Sequence, residues 1–93
     1  MFWYDVDGML WKNDIGCVIQ AANKQDAVLK AIQIHRLRAK VKITRVLSSK
    51  NLHPEEDWAR VRRVTDVALD AKTGQVKSFK AEPTFTYMRI KRL

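Results

Sequence analysis

The C-terminal segment of the chain alternates aromatic and basic side chains. Every second position holds one of them: Phe85, Tyr87, Arg89 and Lys91. On a β-strand these four side chains share one face. Lysine and arginine bind phosphates by displacing counterions, and arginine can also donate two parallel hydrogen bonds. An exposed aromatic ring beside them can stack on an unpaired base, so the pattern is typical of surfaces that bind single-stranded nucleic acid.

Further basic residues extend this candidate surface. They are Lys40, Lys42, Arg60, Arg62, Arg63 and Lys77. Lys40 and Lys42 lie on the outer face of one predicted strand, and the arginines crowd the start of another. We therefore predict that these six residues and the four above contact nucleic acid or another partner. Two alternatives remain: Phe85 and Tyr87 form the core, or the arginines are a solvated strand end paired with the acids at 55–57.

Carboxylates that could do chemistry occur in two places. Asp5 and Asp7 would share a strand face, which is the beginning of a paired-carboxylate site. No third acid or histidine stands near them in sequence, so solvated strand residues are the simpler interpretation. Glu55, Glu56 and Asp57 could bind a hard cation, but they serve equally well as first-turn acids of a helix that begins at Pro54.

Cysteine and histidine are too few for the usual zinc site. Cys17, His35 and His53 provide only three groups, without zinc-ligand spacing. We expect Cys17 to act as a small hydrophobe, His35 to lie at the core edge and His53 to lie in a loop. The chain also lacks a nucleophile elbow, a P-loop and a dinucleotide-binding glycine pattern. These observations predict no enzymatic activity, no metal and no cofactor.

Size and charge narrow the class of protein further. A chain of 93 residues predicts a single domain, 1–93. Residues 1–28 carry two bases against four acids, whereas the remaining residues carry sixteen bases against six acids. This asymmetry favours a polyanionic partner. One cysteine, no signal-peptide pattern and no apolar run of about 18 residues predict a cytoplasmic protein that does not engage a membrane.

The first third of the chain predicts strands followed by a helix. Phe2 to Val6 favours a strand, Asp7-Gly8 is a strong turn signal, and residues 9–11 would form the returning hairpin arm. A short apolar run at 17–21 predicts a second strand. Asn23 is a good N-cap for a helix over about 24–37, where apolar residues recur with helical spacing.

The rest of the chain predicts strands. Residues 40–47 alternate as a strand, and we expect a short helical turn at 54–58 followed by a strand to Asp70. A continuous helix over 54–70 remains the alternative. Gly74 predicts a hairpin closed at 72–74, with strands at 75–81 and 84–93. The fold class is therefore α+β, with a mainly antiparallel, twisted sheet and one helix packed on one face.

The N-terminus is unusually aromatic. Phe2, Trp3, Tyr4 and Trp11 occur within the first eleven residues. On a strand, Trp3 points to one face, and Phe2 and Tyr4 point to the other. Both faces of the strand can be buried only if another part of the structure packs on each of them. We expect the helix and its neighbours to provide this packing, and the alternative is a protein partner anchored by these rings.

The order of elements resembles a known group of small proteins. A strand, the helix A-A-N-K-Q-D-A-V-L-K-A-I and a basic strand succeed one another, as in small phage-encoded accessory proteins. In size, charge and architecture the chain is similar to anti-CRISPR inhibitors. This resemblance implies an inhibitor that docks on a nucleic-acid-handling complex and blocks its nucleic-acid site. The residues themselves favour a basic binding protein for RNA, single-stranded DNA or a nucleoprotein complex, and the inhibitor is the alternative.

Overall fold

The computed structural model describes residues 1–53 and 55–93. Seven strands and one helix follow one another along the chain. They are β1 (Phe2–Leu10), β2 (Asn13–Asp14), β3 (Cys17–Ala21), α1 (Lys24–Ile34), β4 (Val41–Val46), β5 (Asp57–Leu69), β6 (Val76–Ala81) and β7 (Thr86–Arg92). A single 3-10 turn, Ser49–Asn51, lies between β4 and β5. The predicted α+β class, with one helix on a mainly antiparallel sheet, is confirmed.

The sheet is built around β1 and β5. Its strand order is β2-β1-β5-β7-β4; β3 also pairs with β1, and β6 pairs with β5. Every pairing is antiparallel. β6 and β7 run along β5 as one interrupted return strand, because Ala81 pairs with Val64 and Thr86 with Val61. Residues 82–85 bulge out between them.

The core lies between α1 and one face of the sheet. Ala27, Val28, Ala31 and Ile32 are the buried residues of the helix. Alternate residues of β1 are buried with them, because successive strand side chains point to opposite faces. The second face of the sheet, opposite α1, has no helix over it in the described ranges, and we call it the open face.

Several predicted elements are confirmed. The Asn23 side chain accepts a hydrogen bond from the Asp26 backbone N–H at 2.8 Å, as expected of an N-cap. The hairpin between β5 and β6 closes where Gly74 adopts a φ of 72°, and the Asp70 carboxylate accepts from the backbone N–H of Lys72 and Thr73. On β7, Thr86, Met88 and Ile90 alternate with Tyr87, Arg89 and Lys91 and are buried; the strand begins two residues later than expected.

The predicted turn at Asp7-Gly8 is wrong. β1 continues to Leu10, and the chain turns at Trp11 and Lys12, where both residues have a positive φ. Asn13 holds this turn by donating to the carbonyls of Leu10 and Trp11. Gly8 has a different purpose: a Cβ there would collide with the backbone of Trp58 and Ala59 on β5. The glycine therefore allows two strands to approach closely.

The helix is shorter than predicted, and His35 is not at the core edge. α1 ends at Ile34 because Arg36 adopts a φ of 59°, and the N–H of Leu37 then bonds to the carbonyl of Ile32. His35 is exposed, and its Nε2 lies 2.8 Å from the Gly16 carbonyl oxygen. A left-handed arginine ends the helix where glycine is usual, so the sequence carries no stop signal.

The expected helical turn at 54–58 is also wrong where it can be assessed. β5 already begins at Asp57, and residues 55–56 are a turn and a bend. Pro54, the predicted first helical residue, lies outside the described residues. The alternative helix over 54–70 is excluded by the 13-residue strand, as the β-branched alternation of this segment indicates.

Candidate nucleic-acid interface

The open face brings together most of the predicted site residues. Strand registers pair Asp5 with Arg62 and Asp7 with Arg60 across β1 and β5. The next pairing, between β5 and β7, sets Arg60 opposite Tyr87. Because directly paired residues share a face, a continuous row of charged and aromatic side chains crosses the open face.

Two of the predicted phosphate-binding arginines are already engaged. Arg60 Nε lies 2.9 Å from an Asp7 carboxylate oxygen, and Arg62 Nε lies 2.7 Å from one of Asp5. Both guanidinium groups also cover the ring of Phe85, at 4.3 and 4.6 Å from its centroid. The Phe85 ring is therefore covered rather than free to stack. Asp5 and Asp7, expected to be solvated, act as counterions of these arginines.

Arg60 remains charged in this arrangement. Partial burial opposes the charge, but hydrogen bonds with Asp7 and Tyr87 raise the pKa of Arg60 above its usual value. The pairing with Asp7 reduces the positive field at this part of the face. A phosphate here would have to compete with a carboxylate already in place.

Arg89 holds a loop against the sheet. Its Nη2 donates to the Asn51 carbonyl at 2.8 Å, and its Nε lies 3.2 Å from a Glu56 carboxylate oxygen. One alternative paired the acids at 55–57 with the arginines at 60–63, and it is wrong for Glu56 and Asp57. Glu56 pairs with Arg89, and Asp57 pairs with Arg92. Arg89 fixes residues 49–53 and 55–56, the described part of the β4–β5 loop, over one end of the open face.

A different end of the open face carries lysines that form no close ion pair in the described structure. Lys42 on β4 and Lys91 on β7 are directly paired and exposed. Lys40 stands two residues before Lys42, where its carbonyl accepts from the Leu93 N–H at 2.9 Å. We call Lys40, Lys42 and Lys91 the lysine edge. Within the described chain, no carboxylate lies within 4.0 Å of these three ammonium groups.

Between the lysine edge and the arginines lies a small cleft. Its volume is about 290 Å³. The sheet contributes Trp58, Arg60 and Tyr87, and the β4–β5 loop contributes Ser49, Leu52 and His53. We call this set of six residues the aromatic cleft.

Two predicted site residues lie elsewhere. Arg63 pairs in register with Tyr4, on the face opposite to that of Arg62, and its guanidinium lies 4.0 Å from the Phe2 ring centroid. Lys77 is exposed on β6, which pairs only with β5 among the described strands. The structure thus gathers the other eight predicted residues on or beside the open face, with Lys40 at its margin.

The N-terminal aromatic residues divide between core and surface. Tyr4 is buried in the core beneath the helix, as expected. Phe2 and Trp11 remain 43% and 40% exposed. Each has an arginine beside its ring: Arg63 at Phe2 and, at 5.5 Å, Arg92 at Trp11.

Cys17 lies in surroundings that disfavour its thiolate form. It is half-buried in β3 and packs against the core, as its apolar surroundings predicted. Burial, reinforced by the charges of Asp5 and Asp14, raises the pKa of Cys17 to about 11. The nucleophilic thiolate is therefore scarce at neutral pH.

Sequence reasoning missed the aromatic cleft as a unit. It found Arg60 and Tyr87 but placed Trp58 at the end of a short helical turn and His53 in a loop. The alternation of Trp58 with Arg60 on one strand was a usable signal. The loop that forms the other wall was not visible, because its contacts with Arg89 join residues 33 and 38 positions apart.

No family model, curated protein or solved structure matches the chain. Across the described ranges, none of the helices is long and apolar enough to span a bilayer. Residues 1–53 and 55–93 also contain no group of three or more histidine, cysteine or acidic side chains that could hold a metal ion.

Proposed function

We propose that the protein binds nucleic acid without catalysing a reaction on it, and that the lysine edge contacts the phosphates. One observation carries the proposal: Lys42 and Lys91 are direct cross-strand neighbours, and within the described structure neither ammonium group has a carboxylate within 4.0 Å. Like charges directly opposite each other destabilise a sheet. A phosphate between them would turn this repulsion into attraction and release counterions.

A competing explanation for these lysines is protection of an edge strand. β4 is the last strand of its sheet, and lysines on edges deter pairing with other chains. The two explanations differ in what an oligonucleotide does. Protection against aggregation gives no particular affinity for phosphates, whereas the proposed contact gives binding that weakens steeply with salt.

The test is the salt dependence of binding of a labelled single-stranded oligonucleotide. For the parent we expect a linear fall of log affinity with log salt between about 50 and 200 mM. Lys42→Ala/Lys91→Ala should lower the slope by about one to two units. Lys72→Ala/Lys77→Ala removes the same charge from the hairpin between β5 and β6 and should change the slope less. Equal slopes for the two double variants would refute the lysine edge.

The alternative is an inhibitor, similar to anti-CRISPR proteins, that docks on a nucleic-acid-handling complex. The exposed rings of Phe2 and Trp11 favour it, because aromatic residues are common interface anchors. Affinity purification with and without nuclease separates the two functions. Nucleic-acid binding predicts that co-purifying partners are lost on nuclease treatment, whereas the inhibitor predicts a protein partner that survives it.

A further inference from the structure

The aromatic cleft has two walls of different origin. Trp58 and Tyr87 are diagonal neighbours on β5 and β7, since the register pairs Trp58 with Arg89 and Arg60 with Tyr87. Diagonal positions are about 7–8 Å apart, within reach of large aromatic side chains. The opposite wall is the loop segment with Ser49, Leu52 and His53.

Backbone and side-chain hydrogen bonds form the cleft before any ligand arrives. Arg89 fixes the loop through the Asn51 carbonyl and Glu56. The Asn51 side chain accepts from the backbone N–H of Ser48 at 3.1 Å, which closes the 3-10 turn. His53 is held as well, because its N–H donates to Glu56 at 3.1 Å. A cleft that is already shaped loses little entropy when a ligand binds.

The lining chemistry suits a neutral planar ring. Tryptophan and tyrosine faces favour stacked rings or cations, but the Arg60 guanidinium in the same wall repels a cation. Arg60 also supplies donors for the oxygen or nitrogen acceptors of such a ring. His53 adds a second planar ring to the lining, and its Nδ1 accepts from the Glu55 N–H at 3.3 Å.

The size and the neighbours of the cleft identify the ring. At about 290 Å³ the cleft is at the small end of ligand sites, enough for one ring system. Lys50 follows Ser49 in the loop, and the lysine edge begins four residues along β7 from Tyr87. An acceptor-bearing ring attached to a chain of negative charges fits both features.

We infer that the aromatic cleft takes one unpaired nucleobase of a single-stranded nucleic acid. This inference rests on the proposed function, because the lysine edge supplies the phosphate contacts to one side of the cleft. A base within a duplex is stacked and paired, and it would have to be flipped out at a cost of a few kcal/mol. The cleft therefore selects single strands over duplexes.

The test compares three ligands with the unaltered protein. They are a mixed-sequence single strand of about a dozen nucleotides, a strand of equal length that lacks every base, and the corresponding duplex. We expect the strand without bases to bind about 5- to 150-fold more weakly, as stacking of one base implies. Its salt slope should equal that of the intact strand, because the phosphates are unchanged.

Outcomes separate this inference from the proposed function. Equal affinity for strands with and without bases refutes the base site, while salt-dependent binding to both leaves phosphate binding intact. Absence of salt-dependent binding to any ligand refutes the proposed function itself. The comparison is made with RNA and with DNA. If strands with and without bases bind equally well in both cases, the cleft does not take a base.

Two variants locate the effect. Tyr87→Phe keeps the ring and should retain the preference for the intact strand, whereas Tyr87→Leu should abolish it. A protein with Trp3→Phe and Trp11→Phe leaves Trp58 as the single tryptophan. Its emission should be quenched by the intact strand and not by the strand without bases. Unchanged emission with both strands would contradict stacking in the cleft.

Discussion

Replacing Arg89 with alanine separates two interpretations of the open face. Its position in the sequence predicts a phosphate contact, whereas its hydrogen bonds to Asn51 and Glu56 assign it to holding the β4–β5 loop. The structural interpretation predicts that Arg89→Ala loosens the loop and destabilises the fold, with no change in the salt slope of oligonucleotide binding. The phosphate interpretation predicts a slope lower by about one unit and an unchanged fold.

The expected loss of stability follows from the Arg89 contacts. A hydrogen bond from a charged donor contributes about 1.5–3 kcal/mol. Since the Arg89 side chain is 41% exposed, solvent competes, and about 1 kcal/mol is a reasonable figure for the bond to Asn51. At this chain length, that lowers Tm by about 4–8 °C. The Glu56 carboxylate lies at the surface, and this figure covers the bond to Asn51 alone.

The assay combines thermal unfolding, amide hydrogen exchange over residues 49–53 and 55–56, and binding as a function of salt. Arg89→Lys is the matched control, because it keeps the charge and loses the fixed planar geometry. It should exchange as fast as Arg89→Ala in the loop. An unchanged Tm and loop exchange together with a reduced salt slope in Arg89→Ala would refute the structural interpretation.

Other predictions concern the fold, the thiol and pH. Gly8→Ala should lower the free energy of unfolding by about 3 kcal/mol and Gly74→Ala by about 1 kcal/mol, as measured in denaturant titrations. The difference arises because, of these two glycines, only Gly8 faces another backbone. Equal losses would contradict this. Cys17 should react with a thiol reagent far more slowly at pH 8 than the unfolded chain, and similar rates would refute its raised pKa. The hydrogen bond from the His53 backbone, and then that from Arg89, lower the pKa of Glu56. The stabilisation by these hydrogen bonds is therefore present at neutral pH and lost as the pH falls below the ordinary pKa of 4.5. The difference in Tm between the parent and Glu56→Gln should accordingly disappear in acid. A difference that persists in acid would contradict the lowered pKa of Glu56.

Local signals predicted the elements whose chemistry is local. Asn23 predicts the helix start because its side chain bonds three residues ahead, and Gly74 predicts the hairpin because the turn needs a positive φ. The alternation of β-branched residues also favoured the long strand β5 over a helix. In each case the deciding interaction lies within a few residues of the signal.

Signals failed where distant chain segments decide the local structure. Asp7-Gly8 has the composition of a turn, but glycine is needed at position 8 because the backbone of Ala59 on another strand lies too close for a Cβ. The turn actually lies at Trp11, whose N–H donates to Asp57 at 3.0 Å, 46 residues away. No local pattern could reveal such a contact.

The candidate site was predictable by residue type and not by pairing. Alternation correctly set Tyr87, Arg89 and Lys91 on one face, but it could not show which basic side chains have counterions. Strand register makes that distinction. It sets Asp7 against Arg60 and leaves Lys42 facing Lys91.

Mapping of backbone amide shifts during titration with a single-stranded oligonucleotide tests the central claim most directly. The account predicts that the largest changes occur at Lys42, Lys91 and Tyr87 on the open face, that they disappear at high salt, and that α1 is barely affected. Changes concentrated on α1 or on the hairpin between β5 and β6, with the open face unperturbed, would contradict it.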